Sequence, residues 1–223
     1  MAHTLKTSTS KGTARIVGAL FLTAMVASLV GAGLLESPMT AADYLSELTA
    51  ASGQVKIGVL LELINGVAVI WIALLMFPIF KQHAESSALG YVAFRLVEAM
   101  VIFAAALTPV ILLTMGEGSS VGGDVLVVVR KHLVGEVTGI FFSIAAFIFY
   151  CLLYQMKLVP IWLSVWGLIA VVLVFVWNLL ELVGISISVG IVFGLPIILN
   201  EVVLGIWLII KGFESAEELP VQK

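Results

Sequence analysis

Charge is what this sequence has least of. Only 11% of its 223 residues are Asp, Glu, Lys or Arg, while 61% are apolar. A soluble domain usually carries about 25% charged residues, so too few are present here to cover a water-facing surface. The single cysteine, Cys151, excludes an intrachain disulfide and lies in an apolar run, so it says nothing about redox compartment. Three histidines, two of them (His3 and His83) in polar stretches, exclude a histidine-rich metal site and a haem held between two histidines in a bundle. No serine or cysteine is spaced against a histidine as a nucleophile would be. Walker and dinucleotide glycine patterns are lacking too, which argues against ATP-driven chemistry in this chain. No basic patch follows the N-terminal segment, so nucleic acid is not an expected partner.

What fills the chain instead is long apolar runs, and mean hydropathy is +1.19. A helix needs about 20 apolar residues to cross the hydrocarbon core. Six segments qualify: Ile16–Leu35, Ile57–Phe80, Leu89–Leu113, Leu133–Tyr154, Pro160–Val183 and Ile191–Ile210. The expected fold is all-α, a polytopic membrane bundle of six transmembrane helices with both termini cytoplasmic. Residues 1–15 form a cytoplasmic N-terminal segment, 16–213 the membrane domain, and 214–223 an acidic cytoplasmic tail that frays. The basic lead-in of Lys6, Lys11 and Arg15 raises a signal peptide, but the following run is too long for one and five more spans follow. An uncleaved first helix is the reading adopted.

Orientation follows the distribution of Lys and Arg. With the N-terminus inside, Lys6, Lys11, Arg15, Lys81, Lys157, Lys211 and Lys223 are cytoplasmic, against Lys56, Arg130 and Lys131 outside. Seven against three favours both termini inside, as an even number of spans requires. The longest connection is Glu36–Lys56, in which Ala41–Ala50 predicts a short interfacial helix with Tyr44, Leu45 and Leu48 on one face. Met115–Asp124 is Gly- and Ser-rich and reads as a flexible loop. The apolar Val125–Val129 is either an interfacial turn or the first turns of a fourth helix that starts early. On the inner side Gln82–Ala88 and Gln155–Val159 are short, and Pro160 suits a first helical turn.

Three stretches, Ala88–Met100 (ALGYVAFRLVEAM), Leu158–Leu168 (LVPIWLSVWGL) and Leu199–Phe213 (LNEVVLGIWLIIKGF), resemble the bacterial family catalogued as domain of unknown function 4386. The opening RIVGALFLTAMVASLVGAGL and the second-span LELINGVAVIWIALLMFPIFK fit the same pattern, so the resemblance runs over nearly the whole chain. It implies a six-helix protein of a bacterial inner membrane. It implies no activity, cofactor or site residue.

Polar side chains inside the spans carry the functional reading. A charge near mid-membrane costs about 2.5–3.5 kcal/mol on insertion scales. Yet Glu62, Glu98, Glu136, Glu181 and Glu201 lie within the spans, with Arg95 and the amides Asn65, Asn178 and Asn200. Glu62 and Asn65, Arg95 and Glu98, and Asn178 and Glu181 are each three apart and share a helix face. Asn200 and Glu201 are adjacent, about 100° apart around their helix, so they address different neighbours. The expectation is a polar pocket opening outward, floored near mid-membrane by Arg95 and Glu98. One arginine cannot neutralise five carboxylates, which points to bound protons, a bound cation or water. Pro109 and Pro196 would release the carbonyls of Ala105 and Val192 near this cluster. Gly135 and Gly139 would allow a close helix approach beside Glu136. Trp162, Trp166, Trp207 and Tyr154 read as interfacial anchors, and Trp71 and Trp177 as packing.

Three function classes stay open. One is a pocket that binds or transports protons, cations or a small cationic substrate. Another is an intramembrane enzyme using carboxylates, with or without a metal held by His132, Glu136 and a further carboxylate such as Glu62. The last is a structural or partner subunit whose polar residues glue helices together. No cofactor is expected. The partners expected are the lipid bilayer and, because six helices are few for a monomeric transporter, a second copy or another membrane protein.

Overall fold

The computed structural model describes the backbone of residues 2–115, 120–185 and 190–214, and the side chains of 11–115, 122–185, 190 and 192–214. Within them regular structure is entirely helical: α1 (Ala2–Thr40), α2 (Tyr44–Ala50), α3 (Ser52–Phe80), α4 (Glu85–Met115), α5 (Ser120–His132), a π-helical turn (Leu133–Val137), α6 (Thr138–Met156), α7 (Ile161–Leu182) and α8 (Gly190–Ile210). Six of the continuous helices are long and apolar enough to cross a membrane, with α5, the π turn and α6 forming the fourth.

Each span packs on its neighbours in the chain, and α8 returns to pack on α1. The spans therefore form a closed ring, traversed once in sequence order with alternating direction. In lipid such a ring is held by close packing and interhelical hydrogen bonds, because tails are as apolar as the side chains they would exclude. The closing seam depends on small residues. A Cβ on Gly18 would stand 2.5 Å from the Gly205 carbonyl oxygen, and one on Gly205 would stand 2.9 Å from Leu22. The start of α1 and the end of α8 also meet, Gly212 lying beside Lys11 and Ala14. Both described ends of the chain therefore sit at one end of the ring, called the terminal end below; the other is the distal end.

The two halves of the ring are filled differently. Towards the terminal end Phe21, Phe80, Tyr91, Phe149 and Tyr150 stack edge to face or tilted, with centroids 5.3–5.7 Å apart. Such aromatic contacts add specificity to area burial. At the distal end a smaller cluster of Leu35, Met39, Leu48, Val55 and Leu112 is capped by α2. The short helix expected within Ala41–Ala50 is present as α2; Asp43 caps it and Leu48 is fully buried. Tyr44 reaches across to donate to Asp124 of α5 at 2.8 Å.

Several boundaries differ from the sequence reading, for local reasons. Helix α1 runs through Pro38 to Thr40 instead of stopping at Leu35. Pro38 releases the Leu34 carbonyl, and Gln54 of α3 donates its amide to that oxygen at 2.8 Å. The expected Met115–Asp124 loop is corrected in its last part: Ser120–Asp124 is helical, while residues 116–119 lie outside those described. Val125–Val129 is the early start of the fourth span, as one of the two alternatives had it. Pro160 stands one residue before α7 with ψ 137°, capping it and not joining its first turn. Lys157, in the left-handed region at φ 50°, ends α6 while Leu158 N–H bonds back to Leu153.

Candidate functional site

At the centre of the ring lies a cavity of about 320 Å³ to which all six spans contribute. Of the polar residues singled out above, Asn65, Arg95, Glu98, Asn178 and Glu201 line it. A smaller void of about 60 Å³ lies alongside, sharing Ser28, Asn65, Ile102, Val134 and Thr138 with the larger one and adding Glu62. Most of the central wall is apolar, so the few polar groups define what it can recognise.

Arg95 and Glu98 lie one turn apart on α4 and are both buried. One guanidinium nitrogen, Nη1, donates to both Glu98 oxygens, at 3.2 and 3.0 Å. The guanidinium carbon sits 5.6 Å from the Tyr91 ring centroid and 5.4 Å from that of Phe142. Cation–π attraction on both sides thus adds to the ion pair. Arg95 Nε is buried with no hydrogen-bond partner among the described residues.

Glu201 faces the same cavity from α8. Among the described residues no side chain hydrogen-bonds it or lies at ion-pair distance, although it stands within electrostatic range of Arg95 and Glu98. Its neighbour Asn200 turns the other way and is fully buried. There it accepts from the Tyr150 hydroxyl at 2.6 Å and donates to the Leu163 carbonyl at 3.0 Å. The 100° step between adjacent helical positions therefore separates a structural amide from a cavity carboxylate.

Arg130 was counted with the outer loop charges in the sequence reading, and this is corrected. It lies within the fourth span, buried, with its fork on Glu62 of α3: Nη2 to Oε1 at 2.5 Å and Nη1 to Oε2 at 3.1 Å. Nη1 also bonds the Ala105 carbonyl of α4, which accepts from Thr108 as well. That carbonyl is the one Pro109 frees, so the proline creates an acceptor and the arginine fills it. The clue was the charge imbalance itself, since five carboxylates in lipid call for more than one cation. With Val125–Val129 open between an interfacial turn and an early start of the fourth helix, the sequence did not decide whether Arg130 lay in a loop or in a span.

The remaining polar residues are dispersed. Glu136, in the π turn, is buried beside His132, whose Nδ1 lies 3.2 Å from Oε2; neither lines the cavity. Glu181 receives Trp177 Nε1–H at 3.4 Å and is off the cavity wall. Asn178 lines the cavity and donates to Val174 at 2.8 Å. No three His, Cys, Asp or Glu side chains come together among the described residues as a metal would need. The set of His132, Glu136 and Glu62 is not assembled, because both Glu62 oxygens are on Arg130.

Two further expectations change. Gly135 and Gly139 do not bring two backbones together. A Cβ on Gly135 would meet nothing within 4 Å, whereas one on Gly139 would collide with the Asn178 side chain at 2.2 Å. Gly139 therefore makes room for the amide. Trp71 is not internal packing either: it is 53% exposed on the outer, lipid-contacting surface. The π turn has its own logic, since it shifts the face of the fourth span by one residue while Thr138 Oγ–H caps the Leu133 carbonyl at 2.6 Å. Such turns often mark functional walls, and Val134 and Gly135 of this one line the cavity.

Neither the curated proteins nor the solved structures contain a significant match to this sequence. A family model does match, over residues 16–212 and so across all six spans, and its description is Domain of unknown function (DUF4386). This multi-pass helical chain belongs to that family.

Proposed function

We propose that this chain binds, and carries across a bacterial inner membrane, a proton or a small cation that enters the central cavity from the outer side, with both termini in the cytoplasm. The observation that carries the reading is Glu201: a carboxylate on the wall of a largely apolar cavity, with no hydrogen-bond or ion-pair partner among the described residues. Glu98 and Arg95 cancel, leaving one net negative charge on the wall when all three are ionised. In a low-dielectric site that charge calls for a proton or a cation.

The burial of Arg130 supports the orientation as well. With it removed from the loop count, Lys and Arg stand seven against two, Lys56 and Lys131 being the two. Among the described residues no metal set assembles, which removes the support for the metal-dependent form of the enzyme reading. The subunit reading keeps Glu62, Glu136 and Asn200, all satisfied inside the ring, but has no use for Glu201.

Dicyclohexylcarbodiimide, which modifies carboxyls in apolar surroundings, gives a direct test. In detergent-purified protein it should modify Glu201 ahead of Glu62 and Glu98, whose oxygens hold guanidinium groups, as read by peptide mass spectrometry. Sodium, methylammonium or phenethylammonium chloride should slow that modification, and proteoliposome uptake of the protecting cation should vanish in Glu201→Gln. Labelling spread over all the carboxylates would favour the inert-core reading, and labelling confined to Glu201 but indifferent to every cation would remove the small cation and leave the proton.

A further inference from the structure

Resting on the cation reading just given, we infer that the ligand of the central cavity is a hydrophobic monoamine: one ammonium group for Glu201 and an apolar or aromatic body for the rest of the space. Three observations narrow the class. A bare proton needs no cavity, whereas this one measures about 320 Å³, at the small end of organic-ligand pockets. A hard metal ion wants about six oxygen ligands, yet among the described residues no three acidic or metal-binding side chains come together. Apart from Arg95, Glu98 and a few neutral polar groups, the cavity wall that Glu201 shares is apolar, with Ile72, Ile102, Phe142, Val174, Trp177 and Ile197 on it.

Charge then separates an amine from a zwitterion. The wall carries one net negative charge, and a singly charged ammonium neutralises it; an amino acid, with no net charge of its own, would leave that charge unbalanced. The ammonium end has Glu201 as a charge-assisted acceptor, and the rings of Phe142 and Trp177 suit both a cation and an apolar body. Space limits the body to roughly ten non-hydrogen atoms. Each methylene newly buried should tighten binding about fourfold until the cavity is full.

The test is a ligand series on the wild-type protein, read as protection of Glu201 from carbodiimide in detergent. Methylammonium, butylammonium, hexylammonium and phenethylammonium should protect at successively lower concentrations. Phenethylammonium should be at least a hundredfold better than methylammonium, and phenylalanine at least tenfold worse than phenethylammonium. Dodecylammonium, too long for the cavity, should lose the trend. A variant adds a second readout: Ala24→Leu, which fills part of the wall on α1, should weaken phenethylammonium at least tenfold and leave methylammonium within threefold. Protection by sodium or methylammonium equal to that by phenethylammonium would overturn the monoamine class while leaving the cation reading intact. Equal protection by phenylalanine would overturn it in favour of a zwitterion. Protection by none of them would remove the cation reading itself.

Discussion

Replacing Arg130 with methionine should unfold this protein more readily than any comparable substitution at the bundle's distal end. Arg130 is 6% exposed, and its fork ties three helices: Glu62 on α3, Ala105 on α4 and its own α5. Methionine keeps most of the volume and removes the charge and all the donors. Glu62 is then left as an uncompensated buried carboxylate, for which breaking a pair costs about 3–5 kcal/mol. The Ala105 carbonyl loses one donor but keeps Thr108, so that oxygen adds little. For a chain of this size about 3–5 kcal/mol corresponds to a melting shift of roughly 6–20 °C, readable by fluorescence or circular dichroism in detergent. Arg130→Lys keeps the charge but not the planar fork, and should fall between. The decisive variant is the double Arg130→Met with Glu62→Gln, which removes the orphaned charge and should recover at least half of the loss. A single variant melting within 2 °C of wild type, or a double variant as unstable as the sum of the singles, would refute the latch.

Gly18→Ala should destabilise by about 1–3 kcal/mol, because its Cβ would press 2.5 Å from the Gly205 carbonyl oxygen and force α1 from α8; an unchanged melting temperature would mean the ring is not closed there. Asn200→Leu should cost about 1–3 kcal/mol by stranding the buried Tyr150 hydroxyl, with cation protection of Glu201 retained; loss of protection at unchanged stability would contradict the division of labour between the two adjacent residues. In a Cys151→Ser background, Ser46→Cys should react with a membrane-impermeant maleimide on intact bacterial cells and His83→Cys only after permeabilisation. The reverse pattern would invert the proposed orientation.

How far the sequence could be read depended on which physical signal each feature leaves. Apolar runs of span length are unmistakable, so the six helices were legible with edges a few residues short; helix geometry continues past the hydrocarbon boundary, as α1 does to Thr40. The ring closure was not legible. It depends on Gly18 meeting Gly205, and glycine in a membrane helix is too common to announce a particular neighbour. Depth along each span followed from rise per residue, but facing across the bundle did not, because the π turn shifts the register of the fourth span between His132 and Thr138. Glu136 lies beside His132, as their spacing of four residues has it, but off the cavity wall. Proline was the more informative punctuation. Pro109 predicted a freed carbonyl at Ala105, and a free carbonyl in lipid must find a donor.

Charge accounting is the step that separates glue from site. Before the pairings are known, one arginine against five carboxylates suggests a broadly acidic pocket. Arg130 and Arg95 neutralise Glu62 and Glu98, while Glu136 has His132 beside it and Glu181 accepts the Trp177 N–H, so of the five the carboxylate left with neither a hydrogen-bond nor an ion-pair partner among the described residues is Glu201. In water such a remainder would mean little, since solvent would accept the charge. Inside a ring of apolar helices it has to be met by a proton, an ion or a ligand, and Glu201 stands where the ring leaves space for one. Helix association alone gives no reason to keep that carboxylate: a leucine at 201 would pack α8 at lower desolvation cost. The expected signature is that Glu201→Leu holds or raises the melting temperature while abolishing cation protection and uptake, the opposite of Arg130→Met. Should Glu201→Leu instead unfold the protein, the carboxylate would belong to the ring's own fastening and the cavity would lose its recognition group.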